Sequence, residues 1–384
     1  MIYFDQAASS FPKPPEVAEA MYKAVTQNSA NPGRGSHRLA REAAGIIFQV
    51  REKAAQLFGM TDPKKAVFFH NATAALNQAV KGFNWQEGEH IIATNFEHNS
   101  IRRPLVYLEK KYKIDVTYID WHEQDNKIID QVEQAIKGNT RLIAMTHASN
   151  VTGAVFPLKK IMEIAKQHGI TTLVDGSQAV GHMDIHMKDD QIDMLVFPGH
   201  KALLGPQGTG MLLVEGDIPL IPIYHGGTGG YSELIDQPEQ WPERMESGTL
   251  NLPGIAGLLA AMEAFEKGKG RNVPRETFLI NKLLKGLETV PGVQIYGPDQ
   301  NPNRLPIAAF NILHANSQEI AAILDSHYDI AVRAGLHCSP LTHETLNTAN
   351  QGMVRASLSY YNTEEEVDIF LQAVREIAES YQEI

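Results

Sequence analysis

The chain has 384 residues, 43% of them hydrophobic, and a formal net charge of −11. This length favours two globular domains, and the dispersed acidic residues argue against nucleic acid as a main partner. No apolar run reaches the roughly 18 residues of a membrane span, and the amino terminus shows no secretory signal. The single cysteine, Cys338, excludes an intrachain disulfide and a thiolate metal site. We therefore expect a cytoplasmic enzyme without a metal.

Apolar residues at helical spacing predict two helices near the amino terminus, over residues 14–28 and 38–58. Strands and helices then alternate, which indicates a mainly parallel sheet with helices on both faces. The predicted strands are 65–69, 90–94, 115–119, 140–147, 171–174 and 193–197, and the predicted helices among them are 71–82, 100–113, 128–137 and 158–167.

Beyond Gly257 the regular alternation ends. We therefore predict a large domain of residues 16–256 and a smaller α+β domain of residues 1–15 and 257–384. Stretches rich in proline and glycine at 226–230 and 268–274 have the composition of linkers. The predicted elements of this part are helices 255–267, 276–288, 317–326 and 364–379, and strands 293–296, 307–312 and 353–357.

Two charged residues follow neighbouring buried strands of the predicted sheet. Asp175 follows the run 171–174, and Lys201 follows the run 193–197 after Pro198-Gly199-His200. Open α/β sheets bind ligands at the carboxyl ends of their strands, and a buried charge there needs a partner. Pyridoxal 5′-phosphate uses both groups, a lysine for a Schiff base and an acid against its pyridinium nitrogen. The alternatives without a functional role are a solvated surface lysine for Lys201 and a helix N-cap for Asp175.

Nine segments across nearly the whole chain resemble the class V, fold-type I enzymes that depend on pyridoxal phosphate. Within that class the chain resembles the cysteine desulfurases and selenocysteine lyases of the Suf-type branch. The resemblance implies a homodimeric transferase of fold type I. The segments are QAAS (6–9), NATAALN (71–77), FEHNS (96–100), HASNVTG (147–153), VDGSQAVGH (174–182), PGHK (198–201), ESGTLN (246–251), RAGLHC (333–338) and RASLSYYNT (355–363).

The resemblance implies roles at the cofactor. Lys201 would carry it and then act as general base and acid. His98 would stack on the ring and shuttle a proton, and Asp175 would keep the ring nitrogen protonated. A loop histidine bonded to backbone is the alternative for His98. The other implied cofactor-binding residues are Ala72, Thr73, Asn150, Gln178, His200 and Thr249.

The phosphate site departs from the family pattern. Ala72 and Thr73 open a predicted helix, and helix amino termini bind phosphate through unpaired N–H groups. Relatives often carry two hydroxyl residues there, and often a serine where this chain has Pro198. We therefore expect a phosphate site with fewer hydroxyl groups. Gln178 would bond the phenolic oxygen of the ring, or act in a capping box.

Arg355 resembles the anchor of the family for the substrate carboxylate, since a guanidinium binds a carboxylate through two parallel bonds. A structural salt bridge is its alternative. Asn150 would bond the same carboxylate or the phenolic oxygen, and Ala7 and Arg333 match segments that line the site. The resemblance also implies that a second subunit contributes to each site, through Arg34, His37 and Thr249.

Cys338 decides between activities. A lone cysteine is more often buried and inert, but this one lies in a loop that matches the short catalytic loop of the family. There, a thiolate takes the sulfur of L-cysteine as a persulfide, leaves L-alanine and passes the sulfur to an acceptor protein, for example in iron–sulfur cluster assembly. The sequence leaves three alternatives: a selenocysteine lyase acting on L-selenocysteine, a class V aminotransferase or epimerase-like enzyme without a role for Cys338, and a non-catalytic binding protein.

Overall fold

The computed structural model of the chain describes residues 1–33, 35–298 and 304–382, without the side chains of residues 269–271. Its helices are α1 (Pro15–Thr26), α2 (Arg38–Phe58), α3 (Ala72–Lys81), α4 (Asn99–Tyr112), α5 (Asp125–Ala135), α6 (Leu158–Gln167), α7 (Leu252–Glu288), α8 (Ser317–Tyr328), α9 (Pro340–Thr345) and α10 (Glu364–Gln382). Its strands are β1 (Ile2–Tyr3), β2 (Ala66–Phe69), β3 (His90–Thr94), β4 (Asp115–Ile119), β5 (Thr140–Thr146), β6 (Thr171–Asp175), β7 (Met194–Pro198), β8 (Gly210–Val214), β9 (Val293–Tyr296), β10 (Ile307–Ile312), β11 (Ile330–Ala331), β12 (Arg333–Gly335) and β13 (Met353–Ser357).

Seven strands form the large sheet, in the order β2-β8-β7-β6-β5-β3-β4. The pairs from β4 to β7 are parallel, and β8 runs antiparallel to both of its neighbours. Successive side chains of a strand point to opposite faces, so Leu195 and Phe197 join one apolar core and Met194 and Val196 join the other. Helices α3 and α4 cover the second face, and α2, α5 and α6 cover the first. The predicted sheet with helices on both faces is confirmed.

A smaller, four-stranded antiparallel sheet has the order β12-β13-β10-β9. It packs with α8, α10 and the second half of α7 around a third apolar core. Strand β1 pairs in parallel with β11 and so ties the amino terminus to this part of the molecule. The division into residues 16–256 and the remainder stays a prediction.

Helix α7 corrects one prediction, because it runs without a break through residues 268–274, which had the composition of a linker. Its first half packs into one core through Leu258 and Met262, and its second half packs into another through Leu279 and Leu283. This packing overrides the low helix propensity of glycine and of Pro274. Among the helices of the described residues, none has the length and apolar character needed to cross a membrane.

Strand β8 was missed in the sequence. It begins at Gly210, and a Cβ atom there would lie only 2.8 Å from the backbone nitrogen of Ala72. The glycine therefore lets the edge of the sheet approach the first turn of α3. That close approach places the amino terminus of α3 beside the strand ends that carry Asp175 and Lys201.

Candidate active site

A cavity of about 200 Å³ lies at the carboxyl ends of the large sheet, where α/β proteins bind ligands. The small sheet and the amino-terminal segment close its other side. Most of the residues predicted for the site meet here: Ala7, Ala72, Thr73, His98, Asn150, Asp175, Gln178, His200, Lys201, Arg333 and Arg355.

Asp175 is the last residue of β6, and Lys201 follows the adjacent strand β7. Burial lowers the pKa of Lys201 to about 8, and the charge of Asp175 opposes that shift. A substantial fraction of the amine is therefore neutral, and nucleophilic, near pH 8. Asp175 is 3% exposed, and its Oδ1 accepts the backbone N–H of Ser177 at 2.9 Å. No helix begins at this residue, so the N-cap alternative is wrong.

His98 occupies the N-cap of α4, where its Nδ1 accepts the backbone N–H of Ser100 at 3.1 Å. The neutral ring therefore carries its proton on Nε2. Burial, together with the nearby charge of Lys201, lowers the pKa of His98 to about 4. The hydroxyl of Ser100 lies 2.8 Å from the same Nδ1 and 2.7 Å from the hydroxyl of Thr73. The predicted cofactor residues His98 and Thr73 are thus joined through Ser100.

The amino terminus of α3 lies in the cavity wall. Asn71 caps the helix by accepting the N–H of Ala74 at 2.8 Å, and the N–H groups of Ala72 and Thr73 precede it in the same first turn. His200 is close by, and its Nδ1 is buried without a hydrogen-bond partner among the described residues. Burial lowers the pKa of His200 to about 4, so the ring is neutral at physiological pH. This wall can bind an anion through neutral donors and the helix dipole.

Arg355 is the largest fully buried side chain of the described residues. Its Nη1 donates to the backbone oxygen of Asn150 at 2.7 Å, and its Nη2 donates to Asp5 Oδ1 at 2.9 Å. The salt-bridge alternative for Arg355 therefore describes a real contact of this residue. Its Nε has no partner among the described residues, so part of its donor capacity is unused.

The loop between β12 and α9 carries Cys338. Both His337 and Cys338 adopt left-handed backbone conformations, with φ of +50° and +60°, and such strain in non-glycine residues is typical of functional sites. The cysteine is exposed, so the expectation of a buried thiol is wrong, and its reactivity stays a prediction. Arg333 Nη2 lies 3.9 Å from its sulfur, and the Cys338 carbonyl accepts the N–H of Asn99 at 2.7 Å.

Two predicted cofactor ligands make other contacts here. The amide of Gln178 donates to the Ala7 carbonyl at 3.1 Å. Asn150 donates to the His337 carbonyl at 2.7 Å and accepts from the Ser339 hydroxyl at 2.7 Å. Both residues thus tie the large sheet to segments that close the cavity, and their roles toward the cofactor stay predictions.

Two of the residues expected from a second subunit, Thr249 and His37, do not line the cavity of this chain. Thr249 is exposed and lines a separate cavity of about 350 Å³, together with Gly33 and Phe48. His37 is exposed at the N-cap of α2, where its Nδ1 accepts the N–H of Ala40 at 3.3 Å. Arg34 lies outside the described residues.

Sequence reasoning gave no role to two acids of the site, Asp5 and Glu97. Glu97 is fully buried, and its carboxyl accepts from the Thr94 hydroxyl at 2.6 Å and from the Thr146 N–H at 2.9 Å. Burial raises the pKa of Glu97 to about 8, and the negative charge of Asp175 adds to that shift. Glu97 lies in the segment FEHNS and Asp5 immediately precedes the segment QAAS, and this closeness to segments that match the family was the available signal.

A family model described as aminotransferase class-V matches residues 2–370. The chain belongs to this family. The predicted class V resemblance is confirmed, and the match spans both sheets and the cavity between them.

Relatives of this class V chain include a probable cysteine desulfurase of Methanothermobacter thermautotrophicus, 33% identical over 98% of this chain and 94% of the relative. A cysteine desulfurase of Escherichia coli is 33% identical over 98% of this chain and 93% of its own length. The apo structure of cysteine desulfurase from Thermococcus onnurineus NA1 matches with a TM-score of 0.92 at 32% identity, covering 99% of this chain and 95% of that chain.

Proposed function

We propose that this class V protein is a cysteine desulfurase that depends on pyridoxal 5′-phosphate. It converts L-cysteine into L-alanine and passes the sulfur to an acceptor protein. The observation that carries the proposal is the exposed thiol of Cys338, which lies 3.9 Å from the guanidinium of Arg333. Arg333 lines the same cavity as Lys201, Asp175 and Arg355. The names of the relatives support the same activity.

The donor set of the cavity fits pyridoxal phosphate. Lys201 offers an amine that is partly neutral near pH 8, and Asp175 offers a buried carboxylate for the ring nitrogen. The first turn of α3, at Ala72 and Thr73, and the unpartnered Nδ1 of His200 offer donors for the phosphate. When bound, this group withdraws electrons from the Cα of the attached amino acid.

The residues of the chain then have separate tasks. Asp175 holds a proton at the ring nitrogen through its negative charge. Lys201 takes the proton from Cα and returns one, which its lowered pKa permits near neutral pH. His98 offers its Nε2–H as a neutral donor, because its own pKa lies near 4. Arg355 binds the α-carboxylate of the substrate with the donors that its present partners leave unused.

Cys338 takes the sulfur. Its thiolate attacks the sulfur of the substrate, so that an S–S bond forms while the Cβ–S bond of the substrate breaks, and the bonding electrons stay with the carbon part. Protonation of that part yields L-alanine, and Cys338 is left as a persulfide. The Arg333 guanidinium lies 3.9 Å from this sulfur, so its positive charge faces the atom at which the S–S bond forms. An acceptor then removes the outer sulfur and restores the thiol.

The wider assignments of the sequence belong to the same proposal. We propose a cytoplasmic homodimer of the Suf-type branch, in which Thr249 of each chain completes the phosphate site of the other. The exposure of Thr249 away from the cavity of its own chain supports this arrangement. A two-fold dimer is also the commonest assembly of soluble oligomeric enzymes.

The test is incubation of the holoenzyme with L-cysteine and a dithiol, with measurement of alanine and sulfide in equal amounts. Without the dithiol, mass spectrometry should find one added sulfur atom, about 32 Da, on Cys338. Cys338→Ala should bind the cofactor and L-cysteine normally but release at least about 100-fold less sulfide, because no nucleophile takes the sulfur. Undiminished sulfide release from this variant would assign the protein to a lyase or aminotransferase activity without a role for Cys338.

A further inference from the structure

The contact between Asp5 and Arg355 joins residues that are 350 positions apart in the chain. Asp5 Oδ1 lies 2.9 Å from Arg355 Nη2, and the side chains are 22% and 1% exposed. A buried guanidinium requires a counter-charge. Burial lowers the pKa of Arg355, and the negative charge of Asp5 opposes that shift, whereas the positive charge of the neighbouring Arg333 adds to it.

The backbone holds Asp5 in this position. Its carbonyl accepts the N–H groups of Ala8 at 3.1 Å and Ser9 at 3.4 Å, and it forms a bridge with Ser357 of β13. The Ser357 hydroxyl, in turn, accepts the N–H of Ala7 at 2.9 Å. The backbone of Asp5 is therefore fixed to the same strand that carries Arg355, which places its carboxylate beside the guanidinium.

The charge balance of this pair has a consequence for ligands. In the free protein one cation faces one anion, so the local charge is close to neutral apart from Arg333. A ligand carboxylate on Arg355 is a second anion that shares the same cation, and it is repelled by Asp5 at short range. Asp5 thus weakens carboxylate binding while it stabilises the anchor in the absence of ligand.

We propose that Asp5 is the built-in counter-ion of Arg355 and a specificity-determining residue, which limits the affinity of the site for the α-carboxylate of the substrate and of the product. The proposal rests on the proposed function only in that the ligand is an α-amino acid. A moderate affinity lets the carboxylate of L-alanine leave once the sulfur has been taken. A residue that only supported the fold would not limit the affinity for the carboxylate. Its substitution would instead weaken the binding of the ligand.

The experiment compares two ligands that differ in the carboxylate, L-alanine and L-alaninamide. Their dissociation constants are measured with the holoenzyme, from the change in absorbance of the bound cofactor. Asp5→Asn keeps the shape and an acceptor oxygen but removes the charge. It should bind L-alanine about 10-fold more tightly, the effect expected for one removed charge at short range, and should bind L-alaninamide as the wild type does. Asp5→Glu should restore the wild-type affinity for L-alanine.

The matched control is Asp115→Asn, which removes a carboxylate from an exposed pair with Lys137 and should leave both constants unchanged. Unchanged or weaker binding of L-alanine by Asp5→Asn overturns the proposal. If that variant does not fold, the double variant D5N/R355M should fold, because neither charge is then left buried alone. Failure of the double variant also overturns it. These dissociation constants do not depend on sulfide release. If the wild type proved inactive on L-cysteine, the desulfurase activity would be refuted, but the role of Asp5 would still be decided by the binding data.

Discussion

Asn150 binds both chain neighbours of Cys338. Its amide donates to the carbonyl of His337 and accepts from the hydroxyl of Ser339, each at 2.7 Å, while its backbone oxygen accepts from Arg355. The segment after β5 therefore contacts the loop of Cys338 and the side chain of Arg355 together. Asn150 thus contacts the loop on both sides of Cys338, at the site where His337 and Cys338 adopt left-handed conformations.

Asn150→Ala should loosen this loop, because the strained backbone loses both amide contacts. We expect faster hydrogen exchange over residues 336–340 and about 10-fold slower sulfide release, with the cofactor content preserved. The control is Asn139→Ala, which removes an amide-to-carbonyl bond to Gly88 far from the cavity. Equal exchange rates in wild type and Asn150→Ala would show that the loop is held by other contacts.

Borohydride reduction of the holoenzyme should attach the cofactor to Lys201 and to no other lysine. Lys13 is the informative comparison, since burial lowers its pKa to about 8 as well. Its Nζ, however, donates to the Ser10 hydroxyl at 2.9 Å and to the His200 carbonyl at 3.2 Å. Lys201→Ala should thus lose the reducible attachment, whereas Lys13→Met should keep it. Peptide mapping that finds the label on Lys13 would contradict the assignment of Lys201.

Glu97 should make the stability of the protein depend on pH. Its pKa of about 8 in the folded protein lies above the unfolded value of 4.5, so the folded state holds a proton that the unfolded state releases. The stabilisation is complete below about pH 4.5 and is lost as pH rises towards 8. The difference in unfolding free energy between wild type and Glu97→Gln should therefore decrease by a few kcal/mol across this window, on the order expected for such a shift.

Denaturant titrations at several pH values measure this difference. His98 and His147, whose pKa values burial lowers to about 4, add the opposite slope below pH 6.5, but they are present in both proteins and largely cancel. A difference that stays constant from pH 4.5 to 8 would mean that Glu97 is ionised throughout.

Shared sites should appear in mixed dimers. Chains with Lys201→Ala and chains with Thr249→Ala should each be impaired alone. If Thr249 acts in the site of the partner chain, a mixed dimer has one site with both defects and one site with neither, and activity returns in part. Refolded mixtures are assayed for sulfide release, with each variant alone as control. An absence of recovery at confirmed mixing, or a monomeric active protein, would contradict the shared arrangement.

The large sheet was predictable because its signals are local. Its buried strands, such as β3 and β6, are short apolar runs between turn residues, and α6 was predicted at its observed bounds. The same logic placed Asp175 and Lys201 at one edge of the sheet. Strand β8 was missed because its apolar residues follow a glycine-rich segment, and α7 was divided in two because local propensity ignores the cores that pack on each half.

Contacts between distant segments had no such signal. The partner of Arg355 lies 350 residues away at Asp5, and the partner of Ser339 lies 189 residues away at Asn150. No spacing in the sequence encodes these pairs, since they arise only when the amino terminus and the small sheet close on the large one. The buried state of Glu97 is equally invisible, because a glutamate in a polar segment has the pattern of a surface residue.

Helix α7 has a mechanical consequence. It is 37 residues long, about 55 Å at the rise of an α-helix, and one end is packed into the core under the large sheet while the other is packed into the core of the small one. Any motion that brings Arg355 towards Lys201 must therefore bend this long helix. Pro274, near its middle, lacks an N–H and leaves one helical bond unmade. An alanine at position 274 would restore this bond and make the connection between the two cores stiffer, without a contact to any residue of the cavity.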